Sequence, residues 1–459
     1  MNLPKPFIER TLTLLSEEFD AFEKALSTDS PISIRINRFK TNEQLSFQQI
    51  PWCKDAYYLN ERPNFTFDPL FHAGCYYVQE ASSMFLEKAV KQHIKGAECV
   101  LDLCAAPGGK STHFRTLLPN NCLLVSNEII RNRSYILAEN LIKWGHPNIV
   151  VTQNSPSDLG KLTHFFDAIV VDAPCSGEGM FRKDSDSMNE WSEYNVQQCA
   201  LRQQQIIDDI WDALKPGGIM IYSTCTYNLE ENEHNLAYIT QNYDAEILPI
   251  DIESQWNITR ELDGKLPSYR FFPHKTNGEG FFLAVIQKSD SENRRVIKPK
   301  KNKQAKKPST FPSDLKSWII NNSDFNFAIE NNSLVATNKL FENQIDILSN
   351  KCSILHKGIN IAEIKGHDFV PTHNLAMSNI LNSEIFSVCE VDITLALSFL
   401  KTEVLKLPDN QPKGYILLTY LGHPIGWVKN IGSRANNLYP NQWRIRSSYN
   451  PEEIKSFWT

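Results

Sequence analysis

The feature that most restricts this chain is a series of five short apolar runs, separated by helical stretches, between residues 98 and 224. They are CVLDL at 99–103, CLLVS at 122–126, NIVVT at 148–152, DAIVVD at 167–172 and GIMIYST at 218–224. Runs this short, rich in Val and Ile and bounded by turn residues, read as strands buried on both faces. Between the last two, Leu201, Ile207, Ile210, Trp211 and Leu214 recur at helical spacing, and Pro216 with Gly217 is expected to stop that helix. The alternation predicts an α/β fold with a doubly wound parallel sheet, whose ligands sit beyond the carboxyl ends of the strands.

At 459 residues the chain is too long for one ordinary domain. EILPI at 246–250 and GFFLAVIQK at 280–288 are expected to close the sheet as an antiparallel pair. The stretch 291–307 holds eight Lys or Arg against one Glu and reads as a flexible basic linker, either a solvated spacer or a phosphate-touching tether. Beyond it, YILLTYLGHPIGWVKNIG at 415–432 is aromatic and β-prone, so the tail reads as α+β. The expected division is a small amino-terminal domain over 1–70, the sheet domain over 71–288, the linker over 289–311 and a carboxy-terminal domain over 312–459.

A formal net charge of −6 excludes a uniformly basic nucleic-acid coat, so any nucleic-acid binding has to rest on local patches. None of the ten cysteines forms a CxxC pair, which removes the main signal for a zinc ribbon or a thioredoxin-like site. His113, His234 and His274 lack ligand spacing, and no metal is expected. The start MNLPKPFIER has no signal-peptide core, and no apolar run approaches the roughly 18 residues that cross a bilayer. The expectation is a soluble protein of the reducing cytoplasm, not bound to a membrane and with no obligate protein partner.

Unusual residues fall where the ligands of such a sheet belong. LDLCAAPGGKST at 101–112 is a strand, a glycine pair and a helix start; it lacks the spacing of a phosphate loop or of GxGxxG, which leaves another nucleoside-type cofactor or a plain tight turn. Glu128, at the end of the second strand, stands where an acidic side chain can accept ribose hydroxyls. Asp172 closes the fourth strand, with Cys175 just past it and Arg182 and Lys183 as candidate phosphate contacts. Cys225 follows the fifth strand, and Asn228 with Glu231 suggests a helix cap, which would lower a nearby thiol's pKa while Glu230 and Glu231 oppose that. Each thiol alone is more often a packing residue; two at neighbouring strand ends beside a cofactor loop are not.

CAAPGGKS, DAPCSGEG and STCTYNLEENE together resemble the signature set of the Sun-type RNA cytosine-C5 methyltransferases. VQEASSMFL at 78–86, RFFPHKTNGEGFFLAVI at 270–286 and SIRINRFK at 33–40 are similar to further elements of that family. The resemblance covers nearly all of residues 30–288. The tail, GYILLTYLGHPIGWVKNIGSRANNLYPNQWRIR, resembles the PUA-like part of the bacterial RsmF branch, whose members modify a cytosine of 16S ribosomal RNA.

The resemblance implies a Rossmann-like methyltransferase that uses S-adenosyl-L-methionine on RNA. It implies that Cys104, Ala105, Ala106, Pro107, Gly108, Gly109 and Lys110 surround that cofactor and that Glu128 binds its ribose. The family's adenine-binding Asp is replaced here by Ser155, with Asn154 or Asp158 as candidate substitutes. Asp172 is implied to lie between cofactor and cytosine, Cys225 to be the nucleophile and Cys175 to assist product release. Lys110 and Arg133 are candidates for shaping the site, and Arg270 and Lys275, like Arg182 and Lys183, for meeting phosphate or solvent. The rival readings are methylation of another base or of transfer RNA, and an RNA-binding assembly factor with a decayed site.

Overall fold

The computed structural model describes residues 3–262, 264–290, 311–447 and 449. The basic stretch 291–307 lies outside the described residues. Five parallel strands occupy the predicted runs: Cys99–Asp102, Leu123–Asn127, Ile149–Thr152, Phe166–Asp172 and Leu214–Thr224. In chain order they lie 5-4-1-2-3 across the sheet, so the direction of winding reverses between the first and fourth. A crevice opens beyond the strand ends at such a reversal. Successive side chains leave opposite faces of a strand. Val100, Leu124, Val151 and Val170 accordingly enter one apolar cluster, and Leu101, Val125, Val150 and Val171 enter another on the far side. That double burial is why the runs are continuously apolar rather than alternating.

Phe281–Lys288 pairs antiparallel with both Leu214–Thr224 and Ala245–Leu248, as expected for the closing strands. The helix before the fifth strand runs over Glu193–Ile210, opened by Ser192, whose side chain accepts from the Asn195 amide. It therefore begins earlier than the apolar spacing suggested. It also ends ahead of Pro216 and Gly217, which lie in the first part of the strand Leu214–Thr224.

Two of the expected domain boundaries cut through sheets. The amino-terminal strands Ile32–Ile36 and Ala56–Leu59 are completed by Tyr76–Val78, beyond residue 70. Residues 312–459 carry two four-stranded sheets, and their strand Ile354–Lys357 adds itself antiparallel to the edge strand Ile149–Thr152 of the central sheet. Composition reports local propensity; it does not report which sheet an edge strand will join. Among the described residues no helix is long and apolar enough to cross a membrane.

Candidate active site

The register between the fourth and fifth strands sets the site. Asp172 pairs with Ser223, so the chain segments after both emerge side by side. Cys175 Sγ and Cys225 Sγ lie 3.0 Å apart, and the Cys225 backbone N–H donates to Cys175 Sγ at 3.4 Å. Both thiols are partly accessible, and all ten cysteines are free. The neighbouring Cys225 thiol and burial push the Cys175 thiol well above its ordinary value.

Asp172 accepts from Ser223 Oγ at 2.8 Å and from Lys110 Nζ at 2.8 Å. Lys110 belongs to the helix Gly109–Leu117, which follows the glycine loop directly. Burial pulls its ammonium down, yet Asp172 outweighs this and raises it, so Lys110 is a cation at neutral pH. The ion pair thereby ties the glycine loop to the strand end that precedes Cys175.

The loop itself has the features of a small-molecule cradle. Gly108 has φ +114°, and a side chain there would be strained and would meet Asn140 Cβ at 3.3 Å. No side chain caps the helix Gly109–Leu117, so its first amides are available to a ligand. Arg133 donates to Ala106 O at 3.0 Å and Asn140 to Pro107 O at 2.8 Å, which holds the loop from the next helix. Cys104 is partly accessible among Asp102, Asp172 and Glu128, and burial raises its thiol. Asp102 is fully buried and accepts from Ser111 Oγ at 2.6 Å, while its Oδ1 has no partner. Burial pushes its carboxyl up to about 7. A buried polar atom without a partner beside a loop of open amides fits a ligand that brings its own donors.

Glu128 is buried, with Oε1 accepting from the Ile130 amide at 2.9 Å and Oε2 lying 3.5 Å from Arg133. Of the three adenine-site candidates, Asn154 is engaged elsewhere: its Oδ1 accepts from the Ser353 amide at 3.0 Å. Ser155 caps the short helix Pro156–Gly160, accepting from the Asp158 amide and donating to Asp158 Oδ2 at 2.7 Å. Asp158 is also paired with Lys161.

Several expected phosphate contacts do not reach solvent. Arg182 is buried against Glu279 at 3.0 Å and donates to Gly278 O at 2.9 Å. Arg270 is buried against Glu233 and Tyr227 O. Lys275 pairs with Glu18 at 2.7 Å, and Lys183 alone of this set is exposed. The helix expected at Asn228 begins instead at Glu233. Asn228 Oδ1 does accept from the Glu231 amide at 2.8 Å, but both side chains are drawn into a buried network with Ser176 and Glu178. With that helix start eight residues beyond Cys225, a helix terminus does not act on the thiol.

Cys53, Glu87 and His113 form the one group of three potential metal ligands among the described residues. Burial pushes His113 down to about 4, so the neutral ring meets Glu87 by a 3.1 Å hydrogen bond, and Lys91 neutralises the carboxylate.

A Rossmann-like sheet with a glycine loop after its first strand, an acidic end to its second and two thiols after its fourth and fifth defines an S-adenosylmethionine-dependent methyltransferase. Residues 90–287 match the model described as 16S rRNA methyltransferase RsmB/F. Residues 3–81 match the N-terminal domain of 16S rRNA methyltransferase RsmF, and residues 386–445 match the RsmF PUA domain. The ribosomal RNA small subunit methyltransferase F of Escherichia coli O6:H1 is 32% identical, over 92% of each chain, and that of Vibrio cholerae is 29% identical, over 96% of this chain and 98% of the relative. The chain belongs to the RsmF family of ribosomal RNA small subunit methyltransferases. Among solved structures, a methyltransferase homolog protein from Pyrococcus horikoshii has 30% identity and a TM-score of 0.54, covering 62% of this chain and 95% of that one. NSun6 from the same organism, at 21% identity and a TM-score of 0.54 over 62% of this chain and 98% of that one, shares the fold.

Two residues central to the thiol loop carried no separate signal in the sequence. Glu178 stands in the CSGEG motif, and Arg10 lies in the amino-terminal helix Lys5–Leu15. Glu178 accepts from the Tyr227 and Asn228 amides and pairs with Arg10, contacts between residues far apart in the chain that spacing could not expose.

Proposed function

We propose that the protein transfers a methyl group from S-adenosyl-L-methionine to carbon 5 of a cytosine in 16S ribosomal RNA, through a covalent adduct between Cys225 and the base. The single observation that carries this reading is the 3.0 Å approach of Cys175 and Cys225 beside the Lys110–Asp172 pair. Cys104 to Lys110 would hold the cofactor, with Glu128 at its ribose and Ser155 near its adenine; the cofactor supplies a methyl group activated by a sulfonium centre.

Carbon 5 of cytosine is a poor nucleophile until a thiolate adds to carbon 6. Cys225 Sγ forms that bond as its thiol proton passes to the ring nitrogen, where Asp172 would hold it, and the ring electrons move to carbon 5. After methylation, loss of the carbon 5 proton to a base drives out the Cys225 thiolate, and release of the ring-nitrogen proton restores the neutral ring. Cys175 suits release: the neighbouring thiol and burial keep it protonated, so it can return a proton to Cys225 but is a poor attacking group. The base must leave its stack, at a cost of about a few kcal/mol. The amino-terminal and PUA units are the proposed RNA contacts, and ten free thiols fit a reducing cytoplasm.

The test uses small ribosomal subunits and their RNA from a strain lacking the enzyme. Cys175→Ala should accumulate an RNA–protein adduct that survives denaturing electrophoresis, and Cys225→Ala should form none. The opposite pattern would reverse the two roles. Bisulfite mapping of the methylated RNA should show one or more protected cytosines; an unprotected product would exclude carbon 5 as the target.

A further inference from the structure

Glu178 has no exposed surface (0 %), yet its carboxylate gathers hydrogen bonds from the loop that follows Cys225. Oε2 accepts from the backbone N–H groups of Tyr227 at 2.8 Å and Asn228 at 3.1 Å. Oε1 accepts from Asn228 Nδ2 at 3.1 Å, Trp191 Nε1 at 3.0 Å and Arg10. The next residue, Gly179, donates its N–H to Cys225 O at 2.7 Å. A side chain at Gly179 would stand 2.7 Å from that same oxygen. Glu178 and Gly179 therefore grip the Cys225–Asn228 backbone at three points, all within three residues of the thiol.

Such a grip works only while Glu178 is ionised. A protonated carboxyl would turn one hydrogen toward a set of donors. A buried carboxylate needs a cation or dense hydrogen bonding to remain charged. The cation that meets it is Arg10, from the amino-terminal helix Lys5–Leu15. Burial pushes Glu178 up, but Arg10 and the hydrogen bonds from Thr226, Asn228 and Tyr227 outweigh it and hold the carboxyl below its ordinary value. The next helix, Phe19–Leu26, braces the loop from outside, with Phe22 meeting the Tyr227 ring edge-on at 5.0 Å, and Arg10 lies over Trp191 at 5.0 Å.

We propose that Glu178 is a positioning residue for Cys225 and that Arg10, reaching in from the amino-terminal helix, is the counter-ion that lets it act. The amino-terminal helices are then a wall of the active site as well as a candidate RNA contact. The inference rests on Cys225 being the nucleophile.

The test is carried out on the full chain in a Cys175→Ala background, where the adduct accumulates, with small ribosomal subunits from a strain lacking the enzyme. Arg10→Ala should slow adduct formation about tenfold or more, since small misplacement of a reacting group costs on that scale. Affinity for S-adenosyl-L-methionine by calorimetry should stay within about twofold, because Glu178 does not touch the glycine loop. Arg10→Lys should recover most of the rate. The ratio of variant to parent rate should rise with pH for Arg10→Ala, because Glu178 then ionises only at higher pH. A ratio near one at every pH would overturn the positioning role. So would a joint loss of rate, cofactor affinity and melting temperature with no recovery by Lys or by raised pH, which would make Arg10 a folding residue. Absence of adduct in the parent Cys175→Ala protein overturns the nucleophile assignment itself, and that outcome is visible before Arg10 is changed.

Discussion

Cys175 Sγ and Cys225 Sγ stand 3.0 Å apart as free thiols at the ends of two hydrogen-bonded parallel strands. A disulfide needs about 2.0 Å, so the two sulfurs are about 1 Å from bonding distance. One equivalent of hydrogen peroxide can take both thiol hydrogens and leave two waters. Peroxide should therefore abolish methylation, with loss of two hydrogens from the intact mass, and dithiothreitol should restore it. Inactivation with no 175–225 cross-link in a peptide map would show that the thiols cannot close the gap.

Lys110 is the direct link between the glycine loop and Asp172. A charge-assisted hydrogen bond in a partly buried site is worth about 1.5–3 kcal/mol, or about 13-fold to about 160-fold in rate. Lys110→Met should lower single-turnover methyl transfer within that range. Lys110→Arg should not restore it, because a planar guanidinium cannot take the place of a compact ammonium in a tight gap. A full rate in the Met variant would separate this ion pair from the chemistry.

Ser155 offers a gain rather than a loss. Asp is as good a helix cap as Ser, so Ser155→Asp should leave the helix Pro156–Gly160 intact. On the proposed placement of adenine, an acidic acceptor at position 155 should tighten cofactor binding by about 1 kcal/mol or more. Isothermal calorimetry with S-adenosyl-L-methionine measures this directly; weaker binding would mean that the nearby Asp158 carboxylate repels the new charge or that adenine lies elsewhere.

Asp102 predicts a pH dependence of stability in the cofactor-free protein. Its folded value is raised from 3.8 to about 7 by burial, so the folded state holds the proton more tightly than the unfolded chain. Stability from this group is complete below about 4, falls as pH rises toward 7 and stays lost above it. Asp102→Asn should flatten that fall in melting temperature between about pH 4 and pH 7. An unchanged slope would mean that Asp102 is ionised in the folded protein across this range.

The strand pattern was legible because each of the five central runs is buried on both faces, which leaves a continuous apolar signal. The closing strand Phe281–Lys288 was legible for the same reason: Phe282, Ala284 and Ile286 pack on one face and Leu283 and Val285 on the other. Phosphate contacts were not legible. Arg182 and Arg270 are charged residues near a motif, and only the packing of residues 25–28 and 278–279 and of Glu233 around them makes them internal counter-ions.

The sequence by itself determined the class of sheet and which residues stand at its strand ends, since these depend on local periodicity and residue identity. Only the tertiary structure decided that Glu178 and Arg10 steady the thiol loop, that residues 354–357 extend the central sheet and that the Ser353 amide occupies Asn154 Oδ1. Each of those contacts joins residues far apart in the chain, and their geometry is set by how whole elements pack, which no spacing within one segment encodes.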